Sequence, residues 1–294
     1  MFGAAFLWGT SATLARFVFR DKGVPALTAV ELRLLFAVAI LGPWLAWRRP
    51  QALRIARADL GYFVALGLFG VAAVQGTYYY AISVLGVGLA ILIQYVAPAL
   101  IVAYAALRGV PVRLATVIAI ASALLGIALL VSNVDPNTSP LHARPLGWVA
   151  GFGSTLSFAF YVVFSKRGLQ RYAPETVLFY TFLIACAFWA IVTPPWRILA
   201  AGYGPDLWLM FAALGVFSTL VPFFLFNTGL HRLAAAEAGI IASLEPVVAV
   251  LSAAVFLGEG LRAVQWLGAL FVLLAAMLAS IQAPETVPAQ PERG

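Results

Sequence analysis

The stretch that decides the fold is "AGIIASLEPVVAVLSAAVFLGE", Ala238 to Glu259. Between Ala238 and Gly258 the only charge is Glu245, and the next residue is Pro246. The run approaches the ~20 apolar residues that a helix needs to cross ~30 Å of hydrocarbon. A carboxylate inside such a run is costly and is often functional. A proline inside a helix has no N–H to give and frees the carbonyl four residues back, here that of Ala242. The expected element is a membrane helix broken at Pro246 beside a buried acid.

The rest of the chain extends this reading. Of 294 residues, 63% are hydrophobic and 10% charged, whereas soluble domains run at about 45–50% apolar and about 25% charged. That excess does not fit one globular core, so the surrounding solvent is lipid. The net charge of +7 does not indicate nucleic acid, because the basic residues fall in short loops between apolar runs rather than in one patch. The single cysteine, Cys186, and two histidines exclude an internal disulfide and leave too few ligands for a zinc site. No metal or other cofactor is expected.

Ten spans are legible: Phe2–Phe19, Ala26–Trp47, Leu60–Leu85, Leu89–Leu107, Leu114–Val131, Leu146–Phe164, Val177–Val192, Leu207–Gly229, Gly239–Leu257 and Val264–Ile281. Helices are required, because a lipid-exposed backbone has only itself to bond to. The first span lacks a basic flank and a small-residue cleavage site, so it is read as a retained helix rather than a signal peptide. With the N-terminus inside, cytoplasmic segments hold eleven Lys and Arg, and outer loops hold five. That bias places both termini in the cytoplasm, as expected for a multi-pass protein of the bacterial inner (plasma) membrane.

The two halves look alike. With Pro98 aligned to Pro246, an offset of 148, Leu85 meets Leu233, Ala90 meets Ala238, Ile93 meets Ile241 and Val102 meets Val250. With one inserted residue, Gly109 meets Gly258 and Leu124 meets Leu273. A repeat of five spans is odd-numbered, so the second copy enters the membrane inverted, as in many secondary transporters. The fold class expected is all-α integral membrane, ten transmembrane helices as two inverted five-helix repeats. The repeats are 1–131 and 146–282, joined by an extracytoplasmic linker, 132–145, and followed by a disordered cytoplasmic tail, 283–294.

Several runs together resemble one family. "FLWGTSATLARF" (Phe6–Phe17), "ELRLLFA" (Glu31–Ala37), "SFAFYVVFSKR" (Ser157–Arg167), "SLEPVVAVLSAAVFLGE" (Ser243–Glu259) and "WLGALFVL" (Trp266–Leu273) resemble the EamA-type members of the drug/metabolite transporter superfamily. Within it the chain is similar to the YddG-type exporters of aromatic amino acids. The resemblance covers nearly the whole chain. It implies export of small metabolites by alternating access through a cavity between the halves, with the fifth and tenth helices outside that cavity. The family's "P…LGE" run is present only in the second half. The first half keeps Pro98 but reads "LRGVPV" (Leu107–Val112), so no carboxylate role is transferred there.

Candidate cavity residues follow from helical spacing. Gln75, Tyr78, Tyr79 and Ile82 share one face. Gln94, Tyr95 and Pro98 form a second. Trp8 and Tyr161 occupy comparable places in the first and sixth spans, and Asn227 aligns with Tyr79. Aromatic walls with a few amides suit flat apolar groups carrying a polar head. Membrane-surface belts and core packing are the competing readings for these rings. Arg16 lies about one turn from the outer end of its span and snorkels. Arg33 lies deeper, and either binds a substrate carboxylate or pairs with an acid such as Glu259. Lys166 and Arg167 read as positive-inside anchors. Small residues at Gly147 and Gly151, and at Ser122 and Gly126, allow close helix packing, within the chain or in a homodimer through the fifth and tenth helices. Pro98, Glu245 and Pro246 are the candidate hinge or proton-coupling residues.

The function expected is a secondary transporter exporting small neutral or zwitterionic metabolites, chiefly amino acids and aromatic ones among them. Few deep cations or acids are present to match highly charged cargo. The alternatives are a polytopic enzyme or a channel. "GYGPD" (Gly202–Asp206) approaches an intramembrane aspartyl protease signature but is off by one residue and lies in an outer loop. There is no G-x-S-x-G elbow, no ATP-binding loop and no filter-like motif. The topology is checked by thiol labelling with a membrane-impermeant reagent. Cys186 labels poorly from either side, a cysteine at Ser139 labels from outside, and one at Gln170 labels from inside. Labelling of both introduced cysteines from one side would defeat the inverted arrangement.

Overall fold

The computed structural model describes residues 1–20, 22–85, 87–132, 145–257 and 262–281. The side chain of Arg16, most of the linker, Glu259 and the tail lie outside the described residues, and the expectations placed on them with it.

Apolar runs of membrane length become helices, because only a helix satisfies every backbone group from within one segment. Along the chain these are α1 (Phe2–Arg20), α2 (Leu27–Arg48), α3 (Arg57–Leu85), α4 (Gly88–Leu107), α5 (Leu114–Val131), α6 (Pro145–Gly168), α7 (Pro174–Val192), α8 (Pro205–Arg232), α9 (Ala235–Phe256) and α10 (Ala263–Ile281). Among the described residues, nine of them, α2 to α10, are long and apolar enough to cross a membrane. The first, α1, has 19 residues, a length of about 28 Å at the helical rise. The connections are short, and one carries a surface helix, Pro195–Ala200.

The halves match in packing as well as in sequence. α5 lies along α10, α2 along α7, and the second part of α4 against the first part of α9. Each of these pairs joins equivalent helices of the two halves. Likewise α1 packs on α8 and α9 as α6 packs on α3 and α4. α2 and α7 run in opposite directions. Arg49 pairs with Glu175 at one end, Gly42 meets Phe179 further along, and Glu31 meets Cys186 towards the other. Two copies of one motif that pair antiparallel are an inverted repeat.

Irregularities recur at the same offset. α3 is π-helical over Leu66–Ala72 and α8 over Leu214–Leu220. In each, an early glycine admits a neighbour. A Cβ on Gly67 would lie 2.7 Å from Ile184 Cβ, and one on Gly215 would lie 2.6 Å from Phe36 Cβ. Ile184 and Phe36 are themselves 148 apart. π-turns of this kind are rare and frequently mark functional sites. α4 breaks between Gln94 and Ala97, and α9 between Ala242 and Glu245, directly before Pro98 and Pro246.

Gly126, Gly147 and Gly151, among the small residues that suited close packing, meet neighbours within the chain. A Cβ on Gly126 would lie 2.6 Å from the Gly268 carbonyl, and Gly147 and Gly151 seat Val84, Leu85 and Ile93. The basic residues at the end assigned to the cytoplasm are more than anchors. Lys166 Nζ donates to the carbonyls of Leu230 and His231 at 2.8 and 2.9 Å, closing the C-terminus of α8, where a cation also suits the helix dipole. Arg171 pairs with Asp59 at 2.8 Å, and Arg167 donates to Tyr104 at 2.5 Å.

Gly67→Ala is expected to cost about 1–3 kcal/mol through overpacking against Ile184, read as a lower thermal unfolding midpoint in detergent. Gly61→Ala, at a position with nothing within 4 Å, leaves that midpoint unchanged or raises it.

Candidate functional site

The breaks and π-turns gather polar side chains midway along the spans. α9 begins at Ala235, four residues before the span read from sequence. Glu245 therefore lies about 15 Å along the helix rather than about 9 Å, near the middle of the span Ala235–Phe256.

Its partner comes from the other break. Tyr95, in the interrupted turn of α4, places its hydroxyl 2.7 Å from Glu245 Oε2 and 3.0 Å from the Ala242 carbonyl. Ala242 is the residue whose carbonyl Pro246 cannot serve. Proline chemistry in α9 is thus answered by a side chain from α4. Gly9 of α1 closes on the same turn, where an added Cβ would lie 2.8 Å from the Glu245 carbonyl oxygen.

Arg33 is answered in the same way. Its side chain is buried, and its Nε donates to Thr219 Oγ1 at 2.8 Å, its Nη2 to the Ser218 carbonyl at 3.3 Å, and its Nη1 to the Tyr79 hydroxyl. Ser218 lies four residues before Pro222, which has no N–H to offer it. α2 delivers the guanidinium because it crosses α8 at Gly215, where an added Cβ would lie 3.3 Å from the Arg33 carbonyl. Among the described residues, no carboxylate lies within 4 Å of Arg33. Tyr79 also offers its ring to the guanidinium at 5.6 Å, and Tyr78 meets Tyr79 edge-on at 5.8 Å. Tyr78, Tyr95 and Arg33 all lie close enough to feel a charge on Glu245.

The residues singled out from sequence therefore fall into two groups. Arg33, Tyr78, Tyr79, Tyr95, Glu245 and Pro246 converge. Gln75 on α3 and Gln94 on α4 are buried, and among the described residues both amide atoms of Gln75 and Oε1 of Gln94 have no hydrogen-bond partner. Trp8, Tyr161 and Asn227 form a second group. Tyr161 and Asn227 Oδ1 are 3.0 Å apart, and both Trp8 and Tyr161 pack on Phe223 and Phe226. Trp8 and Tyr161, equivalent by position in the sequence reading, in fact share one aromatic cluster with α8.

Three participants escaped the sequence reading. Ser218 was detectable through Pro222, by the four-residue rule already applied to Pro246, whereas no sequence signal marks Thr219. Glu31 is fully buried, with Cys186 Sγ at 3.6 Å from Oε1 and, among the described residues, no partner for Oε2. Two residues from Arg33, it lies on a different face of α2, and the structure turns that face toward α7.

Inverted repeats, paired helix breaks and charged groups held between the halves are the marks of a membrane transporter. The chain belongs to the EamA-like transporter family, which it matches over residues 1–132 and 145–281. It is 28% identical to the threonine/homoserine exporter RhtA of Escherichia coli, across 92% of this chain and 85% of that protein. It is 27% identical to the uncharacterized inner membrane transporter YicL of Salmonella typhimurium, across 95% of this chain and 93% of that one. An uncharacterized transporter of Archaeoglobus fulgidus is 30% identical, across 94% and 93%. A solved crystal structure superposes with a TM-score of 0.78 over 96% of this chain and 95% of the other, at 22% identity, a likeness of fold.

Tyr161→Phe leaves Asn227 Oδ1 buried without its donor. The expected loss is about 1–3 kcal/mol of stability, measured by thermal unfolding in detergent. Unchanged stability with reduced flux would instead put Tyr161 in the transport path.

Proposed function

We propose that the chain exports small zwitterionic metabolites, amino acids including aromatic ones, across the bacterial inner membrane by alternating access between its two halves. The repeats are 1–131 and 146–282, joined by the outer linker 132–145, with both termini and the tail 283–294 in the cytoplasm. The carrying observation is the placement of Arg33 and Glu245. They are a base and an acid, each held among the described residues by neutral hydrogen-bonding partners rather than by an ion pair, in one polar cluster with Tyr78, Tyr79 and Tyr95.

A zwitterion carries a complementary group for each of them. Its carboxylate goes to the guanidinium, whose planar fork suits that geometry, and its ammonium goes to Glu245. The tyrosines flank both groups, and the Gln75 amide and Gln94 Oε1, without partners among the described residues, supply polar contacts for a variable side chain. The name of the RhtA relative is consistent with amino-acid cargo. The tyrosine lining favours aromatic members of that class, through stacking worth roughly 0.5–1.5 kcal/mol beyond area burial.

The test is counterflow in proteoliposomes with labelled threonine, homoserine, phenylalanine and tyrosine. Saturable counterflow is expected, whereas substrate turnover without flux would indicate an enzyme. Arg33→Gln removes a charge-assisted contact of about 1.5–3 kcal/mol. It raises KM for the zwitterions about tenfold to a hundredfold and leaves competition by tyramine, which lacks the carboxylate, within about twofold. Equal losses for both compounds would remove Arg33 from substrate recognition.

A further inference from the structure

Tyr95 brings one hydroxyl proton to two acceptors. A phenol has a single donor hydrogen, yet its oxygen lies 3.0 Å from the Ala242 carbonyl and 2.7 Å from Glu245 Oε2. Both are hydrogen-bond distances, and Tyr95 is buried at 4% exposure. With Glu245 ionised, Tyr95 serves one acceptor and leaves a close oxygen–oxygen contact with no hydrogen in it. With Glu245 protonated, the carboxyl donates to the phenol oxygen and the phenol donates to the Ala242 carbonyl. Only the protonated acid completes the chain from Glu245 through Tyr95 to the carbonyl that Pro246 freed.

We propose that Glu245 exchanges a proton for the ammonium group of the substrate, and that Tyr95 is the positioning residue through which the break of α9 senses the exchange. The proposal rests on the zwitterion reading above. The step balances in atoms and charge. The carboxyl loses its proton to the water that accompanies the substrate, and the carboxylate accepts the ammonium in its place. Proton and substrate thus occupy one site in turn, which is the condition for antiport. The groups facing Glu245 are few. α4 contributes Tyr95, α3 contributes Tyr78 and α2 contributes Arg33. α1 presents Gly9, and α5 and α10 carry no ionisable residue. On α9 itself, Glu237 is engaged with the backbone N–H of Ala234 at the start of the helix. Lys166 and Tyr161 of α6 are held by α8.

The exchange acts at the interface between the halves. Once the acid ionises, the single hydroxyl proton is contested, and the brace from α4 to the freed carbonyl of α9 weakens. α4 and α9 are equivalent helices that pack on each other, so the change falls where the halves move against one another.

The experiment adds threonine or phenylalanine to the detergent-solubilised full chain in weak buffer with a pH indicator. The expected result is about one proton released per substrate bound, with a Kd that worsens about tenfold per pH unit on the acid side of the transition, as linkage requires. Glu245→Gln, which retains an amide donor to Tyr95, releases none and has a flat pH profile. Tyr95→Phe still releases one but moves the midpoint, which a packing role alone would leave in place. Substrate binding without proton release overturns the exchange and leaves the zwitterion reading standing. Binding of no amino acid overturns the zwitterion reading. In that event the infrared carbonyl band of a protonated carboxyl, recorded without substrate, decides the proton site. A band lost in Glu245→Gln supports it, and no such band in the wild type overturns it.

Discussion

A carbonyl freed inside a membrane has no water to bond to and must find a donor within the protein. Pro222 and Pro246 free two such carbonyls, at Ser218 and Ala242, and the site is built from the answers. A guanidinium crosses from α2 to the first and a phenol crosses from α4 to the second. Neither donor comes from the broken helix itself. Each interrupted helix of the second half is therefore tied to a helix of the first by the group that repairs it.

Close approach makes these repairs reachable. Glycines at equivalent positions, Gly67 and Gly215, let α7 and α2 press against the π-turns of α3 and α8. The second of these contacts brings Arg33 within reach of Thr219 and Ser218. The first brings α7 to α3 at Thr181, the residue equivalent to Arg33. Thr181 turns its hydroxyl back onto its own helix at Val177. The backbone is nearly two-fold symmetric and the chemistry on it is not. An asymmetric ligand such as a zwitterion needs this, with a cation from one half and an anion from the other.

The aromatic residues divide accordingly. Tyr78, Tyr79 and Tyr95 stand among the charged groups, while Trp8 and Tyr161 pack with Phe223 and Phe226 around Asn227. Ring identity does not separate the two roles. The hydroxyls of Tyr79 and Tyr95 meet charged groups, whereas that of Tyr161 is matched to a neutral amide. The family and its relatives establish a transporter, and the partition of the tyrosines bears on its cargo.

Much of this was legible in the linear chain. Hydropathy gave the spans, because a lipid solvent permits only helices of that length. The offset of 148 between Pro98 and Pro246 located the two breaks, because proline acts on its own backbone, wherever the helix is packed. The same offset carried the π-turns, which no propensity flagged, since they arise where a neighbouring helix presses on a glycine. Tertiary structure alone decided which donor reached each freed carbonyl. Nothing in "ELRLLFA" points to Thr219, and nothing in "IQYVAP" points to Glu245. Those meetings depend on helix crossings between segments more than a hundred residues apart. Sequence determined what each residue had to offer or lacked. The crossings determined which of those needs were met by one another, because in lipid a buried polar group is satisfied only by what the packing brings to it.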